Sequence, residues 1–271
     1  MKILVLGASG TIGSAIYRKA EGLFELCGTY CHNKPAGLEN LVQWDIKDIA
    51  ALEGLLTHTS PDVIISALNG NFELQFTAHK HVADYLKKSG GKMVFFSTAN
   101  VFDGAVNKAH DEKSIPFPIS EYGIFKLNCE KLLQEALGDN CLIVRIPKIM
   151  TQKVAQNLIF GEPVFRNLNI SLNTAENTAG AVVKCAQAGK SGIIHLSSHD
   201  FMSVDIMCKY LGKSKYKTDV LSVETYADMM KCDMDVLQLS IDGNFYLALK
   251  SDDEISEDFS VSCRDVLDLF K

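Results

Sequence analysis

The chain of 271 residues is long enough for one large α/β domain or for a nucleotide-binding domain with a smaller lobe. Hydrophobic residues make up 47% and charged residues 22%, a balance that excludes a disordered or fibrous protein. The formal charge of -6, without a cluster of basic residues, argues against a nucleic-acid partner. The first apolar run, Ile3 to Leu6, is too short for a signal peptide or a membrane span, so we expect a cytoplasmic protein.

The cysteine and histidine spacings do not predict a metal site. The 8 cysteines are scattered without a CxxC pair, which favours reduced thiols over a metal site or a disulfide framework. His79 and His81 are separated by one residue in a helical stretch, so they do not share a helix face.

The first half of the chain alternates short apolar runs with amphipathic stretches. The runs predict strands at Lys2–Leu6, Glu25–Tyr30, Leu41–Trp44, Val63–Ala67 and Lys92–Phe96. The stretches predict helices at Thr11–Glu21, Asp48–Thr57 and Phe72–Lys88. Strands of continuous Val, Ile, Leu and Phe are typical of a parallel sheet covered by helices on both faces. The sequence therefore predicts an α/β fold with a doubly wound, Rossmann-type parallel sheet.

The second half is less regular. Its predicted elements are a loop at Asp103–Ile119, helices at Ser120–Leu137, Asn177–Ala188 and Ser203–Leu211, and strands at Leu142–Ile146 and Gly192–Leu196. The hydrophobic pattern weakens after Pro147. We therefore expect a dinucleotide-binding domain at residues 1–147 and a smaller C-terminal α/β lobe at residues 148–271, packed on the sheet.

The segment Gly-Ala-Ser-Gly-Thr-Ile-Gly lies directly between the first strand and the first helix. Its three glycines suit a tight turn, a close approach of backbone to a pyrophosphate, and close packing of helix on strand. The spacing alone is weak evidence, but its position in the first strand-to-helix turn makes it specific. The candidate cofactor-binding residues of this turn are Gly7, Ser9, Gly10, Thr11, Ile12 and Gly13.

The end of the second strand is where an NAD protein carries an acid for the ribose hydroxyls. No acid is present there; His32, Asn33 and Lys34 occupy the position instead, which favours NADP over NAD because a basic side chain suits a 2′-phosphate. Asp45 is a candidate for the adenine edge, with a solvated loop aspartate as the alternative. Ile46 and Ala67 complete the candidate cofactor-binding set.

A Tyr and a Lys four residues apart on a helix share one face, so the ammonium can tune the phenol for proton transfer. The pattern is common by chance, and here it occurs as Tyr30/Lys34, Tyr122/Lys126 and Tyr246/Lys250. Only Tyr122 begins a helix after the loop that follows the fifth strand, at the carboxyl edge where α/β sheets bind ligands. Ser97 and Thr98 supply hydroxyls at the end of that strand.

Three segments together resemble the extended short-chain dehydrogenase/reductase superfamily, in particular the dTDP-4-dehydrorhamnose reductase family. They are the glycine turn, Ser-Thr-Ala-Asn-Val-Phe-Asp-Gly from Ser97, and Tyr-Gly-Ile-Phe-Lys-Leu from Tyr122. By this resemblance Thr98, or Ser97, would hydrogen-bond a substrate carbonyl and Tyr122 would act as general acid. Lys126 would hold the nicotinamide ribose and tune Tyr122, so both also count as cofactor contacts. The resemblance implies an NADP-dependent reductase of a keto-sugar, expected to be a nucleotide-linked 4-keto-6-deoxy sugar.

The sequence also departs from that family. Ala99 and Asn100 stand where family members usually carry Asp-Tyr, and they cannot perform the acid/base work of a sugar-nucleotide dehydratase. The sugar-nucleotide region is shortened to Leu168–Thr178. Candidates for a substrate diphosphate, each with surface solvation as the alternative, are Arg145, Lys148, Lys153 and Arg166.

Two other functions remain open at this point. An epimerase of the same superfamily fits the first half of the sequence equally well. A non-catalytic NADP-binding regulatory subunit would keep the fold without turnover, although the joint presence of Thr98, Tyr122 and Lys126 argues against it. A homodimer is left open.

Overall fold

The computed structural model describes residues 1–160, 164–212 and 218–271. Its strands are, in chain order, β1 (Lys2–Leu6), β2 (Glu25–Tyr30), β3 (Leu41–Gln43), β4 (Val63–Ser66), β5 (Lys92–Thr98), β6 (Cys141–Ile146), β7 (Lys148–Met150), β8 (Val164–Phe165), β9 (Leu168–Ile170), β10 (Leu172–Thr174), β11 (Gly192–His195), β12 (Met202–Ser203), β13 (Thr218–Asp219) and β14 (Phe245–Leu247). Its α-helices are α1 (Thr11–Ala20), α2 (Ile49–Thr59), α3 (Phe72–Ser89), α4 (Glu121–Leu137), α5 (Gln152–Phe160), α6 (Ala175–Ala188), α7 (Val204–Tyr210), α8 (Val223–Met230), α9 (Glu254–Asp258) and α10 (Cys263–Asp268).

The central sheet has seven strands in the order β11-β6-β5-β4-β1-β2-β3. β1 pairs in parallel with β2 and β4, and the pairs β2/β3 and β4/β5 are parallel as well. The strand order reverses beside β1, as in a doubly wound dinucleotide-binding fold. The predicted α/β, Rossmann-type fold is therefore confirmed.

The central strands are buried because their residues are apolar on both faces. All four residues of β4 are buried, and so are Ile3 to Leu6 of β1. Strands of this kind need helices on both sides of the sheet, and α1 packs against α6 while α2 packs against α3. Among the described residues, none of the helices combines the length and the apolar character that a bilayer crossing requires.

Local chemistry fixes where the helices begin and end. The side chain of Asn71 accepts a hydrogen bond from Leu74 N–H at the start of α3, and Gly90 ends that helix with a φ of 75°. Ser203 caps α7, because its side chain accepts a hydrogen bond from Ile206 N–H. The observed ends of these two helices lie within a few residues of the predicted ends.

Contacts divide the chain into two compact units whose segments alternate along the sequence. The first comprises Met1–Ser97, Asn128–Val144 and Ala175–Ile193, and the second comprises Thr98–Leu127, Arg145–Thr174 and Ile194–Lys271. The sequence predicted a single domain boundary after residue 147. In the structure the chain instead passes from the first unit into the second near the ends of β5, β6 and β11. That residues 148–271 act as a substrate lobe stays a prediction.

The second unit is built from short strands and short helices. β10 pairs with β7, β9 pairs with β12 and β14, and β8 pairs with β13. One apolar cluster includes Met150, Leu172 and Met207, and another includes Val106, Phe165 and Tyr226. The unit therefore has apolar clusters of its own.

A buried cation lies within the second unit. Arg145 is 2% exposed, and its guanidinium lies 5.2 Å from the Phe102 ring centroid, with His110 stacked on that same ring at 4.3 Å. Its Nη1 is 3.5 Å from His195 Nε2, while His195 Nδ1 is 3.0 Å from the Lys250 carbonyl oxygen. A neutral His195 satisfies both contacts, since Nδ1–H donates to the carbonyl and Nε2 accepts from the guanidinium. Burial, and then the neighbouring Arg145, lower the pKa of His195 to about 3.

This depressed pKa makes stability depend on acidity. The unfolded histidine has a pKa of about 6.5, so the unfolded chain binds more protons below that pH. The contribution is fully present above about pH 6.5 and is lost as the pH falls towards the folded value. Because of His195, we expect the unfolding free energy to be about 2 to 3 kcal/mol lower at pH 4.5 than at pH 7.5.

Urea unfolding of His195→Asn at these two pH values measures this cost, because Asn keeps a donor for the Lys250 carbonyl and does not titrate. The variant should lose less stability on acidification than the parent. The exposed His58 supplies the control variant His58→Asn, which should behave as the parent does. Equal pH slopes for the parent and His195→Asn would contradict the assignment.

Candidate functional site

The glycine turn joins β1 to α1 in the first unit. Gly7 has a φ of 81°, its N–H donates to Thr29 Oγ1 at 2.9 Å, and Gly10 N–H donates to the Gly7 carbonyl at 3.0 Å. Gly10 is the N-cap of α1 and offers no side-chain cap. The first N–H groups of α1 are therefore left for an anionic group, as at a dinucleotide-binding helix N-terminus.

Two glycines of the turn have no room for a side chain. A Cβ on Gly13 would lie 2.2 Å from the Gly7 carbonyl oxygen, and one on Gly7 would lie 2.8 Å from the Ala67 carbonyl oxygen. The φ of Gly7 also lies in the region that other residues rarely adopt. The close packing of turn, helix and neighbouring strand therefore requires glycine, which fits the role the sequence predicts for these positions.

A cavity of about 310 Å³ opens beside this turn in the first unit. Of the predicted cofactor contacts, six line it: Gly7, Ser9, Gly10, His32, Ile46 and Ala67. The other lining residues were not predicted as cofactor contacts; they are Thr29, Tyr30, Cys31, Trp44, Leu68 and Asn69. Most of these lie at or just after the carboxyl ends of β2, β3 and β4, the edge where ligands bind in such sheets. The signal available in the sequence was the position of these residues at the ends of predicted strands.

The remaining predicted contacts of this region are not among the lining residues. They are Thr11, Ile12, Gly13, Asn33, Lys34 and Asp45. Asp45 is exposed, and its Oδ1 accepts from Lys47 N–H at 3.0 Å within its own loop. Among the described lining residues none is acidic, and His32 provides an imidazole there. The cavity therefore suits an adenosine whose ribose is not held by a carboxylate.

Thr98, Tyr122 and Lys126 all belong to the second unit. Thr98 is the last residue of β5 and is 7% exposed, and its side chain shares a hydrogen bond with Tyr122. Lys126, one turn further along α4, is buried, with its Nζ 6.0 Å from the centroid of the Tyr122 ring. Tyr122 keeps 38% of its surface exposed, so a ligand can reach it. The structure thus brings the predicted catalytic residues together.

Two opposing effects act on the acidity of Tyr122. Burial raises the pKa of the phenol above its ordinary value of 10.0, and the hydrogen bond with Thr98 lowers it. The net direction is upward. Tyr122 is consequently a neutral phenol at physiological pH, which can donate a proton.

Asp103 fixes the start of the helix that carries Tyr122. Its buried carboxylate accepts from Ile119 N–H at 2.7 Å and from Ser120 N–H at 3.3 Å, and it also accepts from the Ser120 hydroxyl. Ser120 Oγ in turn accepts from Gly123 N–H at 3.0 Å. A Cβ on Gly123 would lie 2.3 Å from the Asn100 carbonyl oxygen. The first turn of α4 therefore packs directly on the backbone that follows Thr98.

The other Tyr/Lys pairs have different surroundings. Tyr246 lies in β14 with its hydroxyl 3.2 Å from Asp242 Oδ2, and Lys250 lies 3.7 Å from Asp111 Oδ2. Tyr30 lines the cavity beside the glycine turn. Each of these tyrosines lies in a strand, whereas Tyr122 and Lys126 share α4.

The alternative hydroxyl and the four diphosphate candidates can also be located. Ser97 Oγ, the alternative hydroxyl, is buried and has no hydrogen-bond partner among the described residues. Of the diphosphate candidates, Lys148, Lys153 and Arg166 are exposed, whereas Arg145 is buried against Phe102 and His195. The alternative interpretation for these four residues was a solvated side chain at the surface. That interpretation does not apply to Arg145.

Comparisons with known proteins found similar sequences. The family described as RmlD substrate binding domain matches residues 1–161. A probable low-salt glycan biosynthesis reductase of Haloferax volcanii is 27% identical over 231 residues, covering 73% of this chain and 75% of that protein. Methionine adenosyltransferase 2 subunit beta of Mus musculus is 25% identical over 194 residues, covering 64% of this chain and 55% of that protein. The chain thus spans about half the length of that second relative.

Solved structures are similar in fold. A dTDP-4-dehydrorhamnose reductase from Clostridium acetobutylicum has a TM-score of 0.75 and 21% identity, with 100% of this chain and 98% of that chain covered. A dTDP-4-dehydrorhamnose reductase from Bacillus anthracis in complex with NADP has a TM-score of 0.72 and 18% identity, with 99% and 98% covered. The Bordetella bronchiseptica enzyme WbmH in complex with NAD+ has a TM-score of 0.70 and 18% identity, with 81% and 85% covered.

Proposed function

The chain belongs to the RmlD substrate binding domain family, that of the dTDP-4-dehydrorhamnose reductases, and we propose that it reduces a nucleotide-linked 4-keto-6-deoxy sugar with NADPH. The family and the fold support a sugar-nucleotide oxidoreductase. The observation that carries the finer proposal is the hydrogen bond between Thr98 and Tyr122, with Lys126 one turn away on α4. A hydroxyl, a phenol and an ammonium in this arrangement suit proton donation to a carbonyl oxygen.

The first unit fits a dinucleotide. Its glycine turn leaves no space for a Cβ at Gly7 or Gly13, and the uncapped start of α1 and the adjoining cavity suit a pyrophosphate and an adenosine. A reduced nicotinamide supplies a hydride to a carbonyl carbon. Tyr122 donates its phenolic proton to the carbonyl oxygen, so that the ketone becomes a secondary alcohol. Lys126 favours the phenolate that remains until solvent returns a proton.

NADPH is the proposed cofactor in preference to NADH. His32 lines the cavity, Lys34 follows it on the exposed loop, and the described lining residues contain no acid for the ribose hydroxyls. Solved structures of similar fold contain NADP or NAD, so they support a nicotinamide cofactor without choosing between the two. The preference for NADPH over NADH therefore rests on the charged and polar side chains that this chain carries near the cavity.

Calorimetric titration tests the preference. NADPH should bind at least about tenfold more tightly than NADH, and the double variant H32A/K34A should remove most of that difference by weakening NADPH binding alone. The exposed Lys19 on α1 supplies the control variant Lys19→Ala, which should bind both as the parent does. Tighter binding of NADH by the parent protein would overturn the preference.

A non-catalytic subunit is the second candidate. The relatives named methionine adenosyltransferase 2 subunit beta support it, because their name describes a subunit, and the Mus musculus protein is similar to 64% of this chain. The replacement of the family's Asp-Tyr by Ala99 and Asn100 also favours it. This candidate predicts cofactor binding without turnover.

The variant Tyr122→Phe separates the candidates when it is assayed with NADPH and dTDP-4-dehydrorhamnose as the probe. Loss of the phenolic proton should lower kcat by about a hundredfold to ten-thousandfold in a variant that still binds NADPH. The parent protein should consume one NADPH for each sugar reduced, whereas an epimerase would consume none. Unchanged turnover in Tyr122→Phe would show that the assigned acid is wrong, and absent turnover in the parent would favour the non-catalytic subunit.

A further inference from the structure

The loop between β4 and α3, residues 67–71, forms one wall of the cavity beside the glycine turn. Three of its residues line that cavity: Ala67, Leu68 and Asn69. The sheet fixes the start of the loop, since Ala67 N–H donates to the Leu6 carbonyl at 2.9 Å. Helix α3 fixes its end, since the Asn71 side chain caps that helix. The middle of the loop lies between these two supports.

One side chain from outside the loop holds its middle. Gln75, near the start of α3, donates from Nε2 to the Gly70 carbonyl at 2.9 Å. Gly70 has a φ of 115°, a value that favours glycine, and its N–H donates to Asn69 Oδ1 at 2.8 Å within the loop. Among the residues that the structure describes, no other side chain outside the loop is hydrogen-bonded to residues 68–70. The position of this part of the loop therefore depends on Gln75.

Gln75 occupies a position where an apolar side chain would stabilise the fold more. It is 2% exposed and lies on the buried face of α3 together with Ala78 and Val82. Its Oε1 is buried and has no hydrogen-bond partner among the described residues. A buried acceptor without a partner is destabilising, whereas a leucine or a methionine would add apolar contacts there. A residue that opposes the stability of its own fold in this way is typical of a functional position.

We propose that Gln75 is a positioning residue for the dinucleotide, whose amide holds the loop of residues 67–71 in place as a wall of the cavity although its buried oxygen destabilises the fold. This inference rests on the proposed function, because the cavity is the one assigned to the adenosine of NADPH. A loop that is already in place loses less conformational freedom when a ligand binds, so a preorganised wall increases affinity. Gln75 contacts the loop and is not among the described lining residues. Its effect on the cofactor therefore passes through the loop.

The test compares stability with cofactor affinity in Gln75→Leu and Gln75→Met, which remove the amide donor and the buried acceptor together. In urea unfolding without cofactor, both variants should be at least as stable as the parent, because Gly70 is exposed and water can replace the lost donor. In calorimetric titration they should bind NADPH about tenfold more weakly, since binding must then order the loop. A residue that only stabilised the fold would show the opposite pattern, a loss of stability without a specific loss of affinity.

Backbone 15N relaxation follows the loop itself in the cofactor-free protein. In both variants the amide order parameters of residues 68–70 should fall, while those of β4 should stay as in the parent. The matched control is Gln187→Leu, which makes the same change at an exposed position of α6. It should equal the parent both in NADPH affinity and in the order parameters of the loop.

Unchanged NADPH affinity in both Gln75→Leu and Gln75→Met would overturn the proposal. So would a marked loss of stability in both variants, or unchanged order parameters in the loop. None of these measurements requires turnover. A parent protein that binds NADPH without reducing the sugar, with the expected losses in the variants, would therefore refute the reductase function alone. A parent that reduces the sugar while the variants bind NADPH equally well would refute the role of Gln75 alone.

Discussion

The buried carboxylate of Asp103 is the interaction on which the candidate site depends. It binds the N–H groups of Ile119 and Ser120 and the Ser120 hydroxyl, while the Tyr226 hydroxyl donates to the Asp103 carbonyl at 2.7 Å. Hydrogen bonds to a charged group contribute about 1.5 to 3 kcal/mol each, and a buried carboxylate that lost them would be strongly destabilising. These hydrogen bonds therefore fix the end of the loop that starts at Gly104, and α4 begins directly after it.

The hydrogen bonds of Asp103 also affect the arrangement of the candidate site. Once α4 starts at Glu121, the missing side chain of Gly123 lets its first turn pack on the Asn100 backbone. Tyr122 then reaches the Thr98 hydroxyl, and Lys126 follows one turn later. The position of Tyr122 is thus set by backbone contacts rather than by side-chain packing alone. In the first unit the glycine turn does the same for the dinucleotide, since its shape also comes from positions that exclude a Cβ.

Much of the first half could be predicted from the sequence because its signals are local. Continuous apolar runs predicted the strands from β1 to β6, and amphipathic stretches predicted the helices from α1 to α3. Strands of two or three residues, such as β8 and β12, are too short to show a periodicity, and their pairing partners are distant in the chain. Helix α8 was missed although Ser222 caps it through Thr225 N–H, a signal that was available.

Burial and pairing of polar groups were harder to predict. Arg145 looked like a surface cation, but its neighbours Phe102 and His195 come from elsewhere in the chain and bury it. Trp44 and Leu68 line the cavity without having been predicted, because the sequence does not show which side chains at the strand ends face the same space. The hydrogen bond that the Thr98 hydroxyl donates to Asn100 Oδ1 could not be inferred either, since it depends on the turn that the backbone makes after β5.

The most direct test of the account is the fate of the transferred hydride. NADPH carrying deuterium at C4 of the nicotinamide, on the transferred face, would be incubated with dTDP-4-dehydrorhamnose and the product analysed by NMR and mass spectrometry. The account predicts a 4-hydroxy sugar with one deuterium on C4 for each NADPH consumed. Recovery of an epimerised or unchanged keto-sugar without deuterium, with NADPH intact, would contradict it.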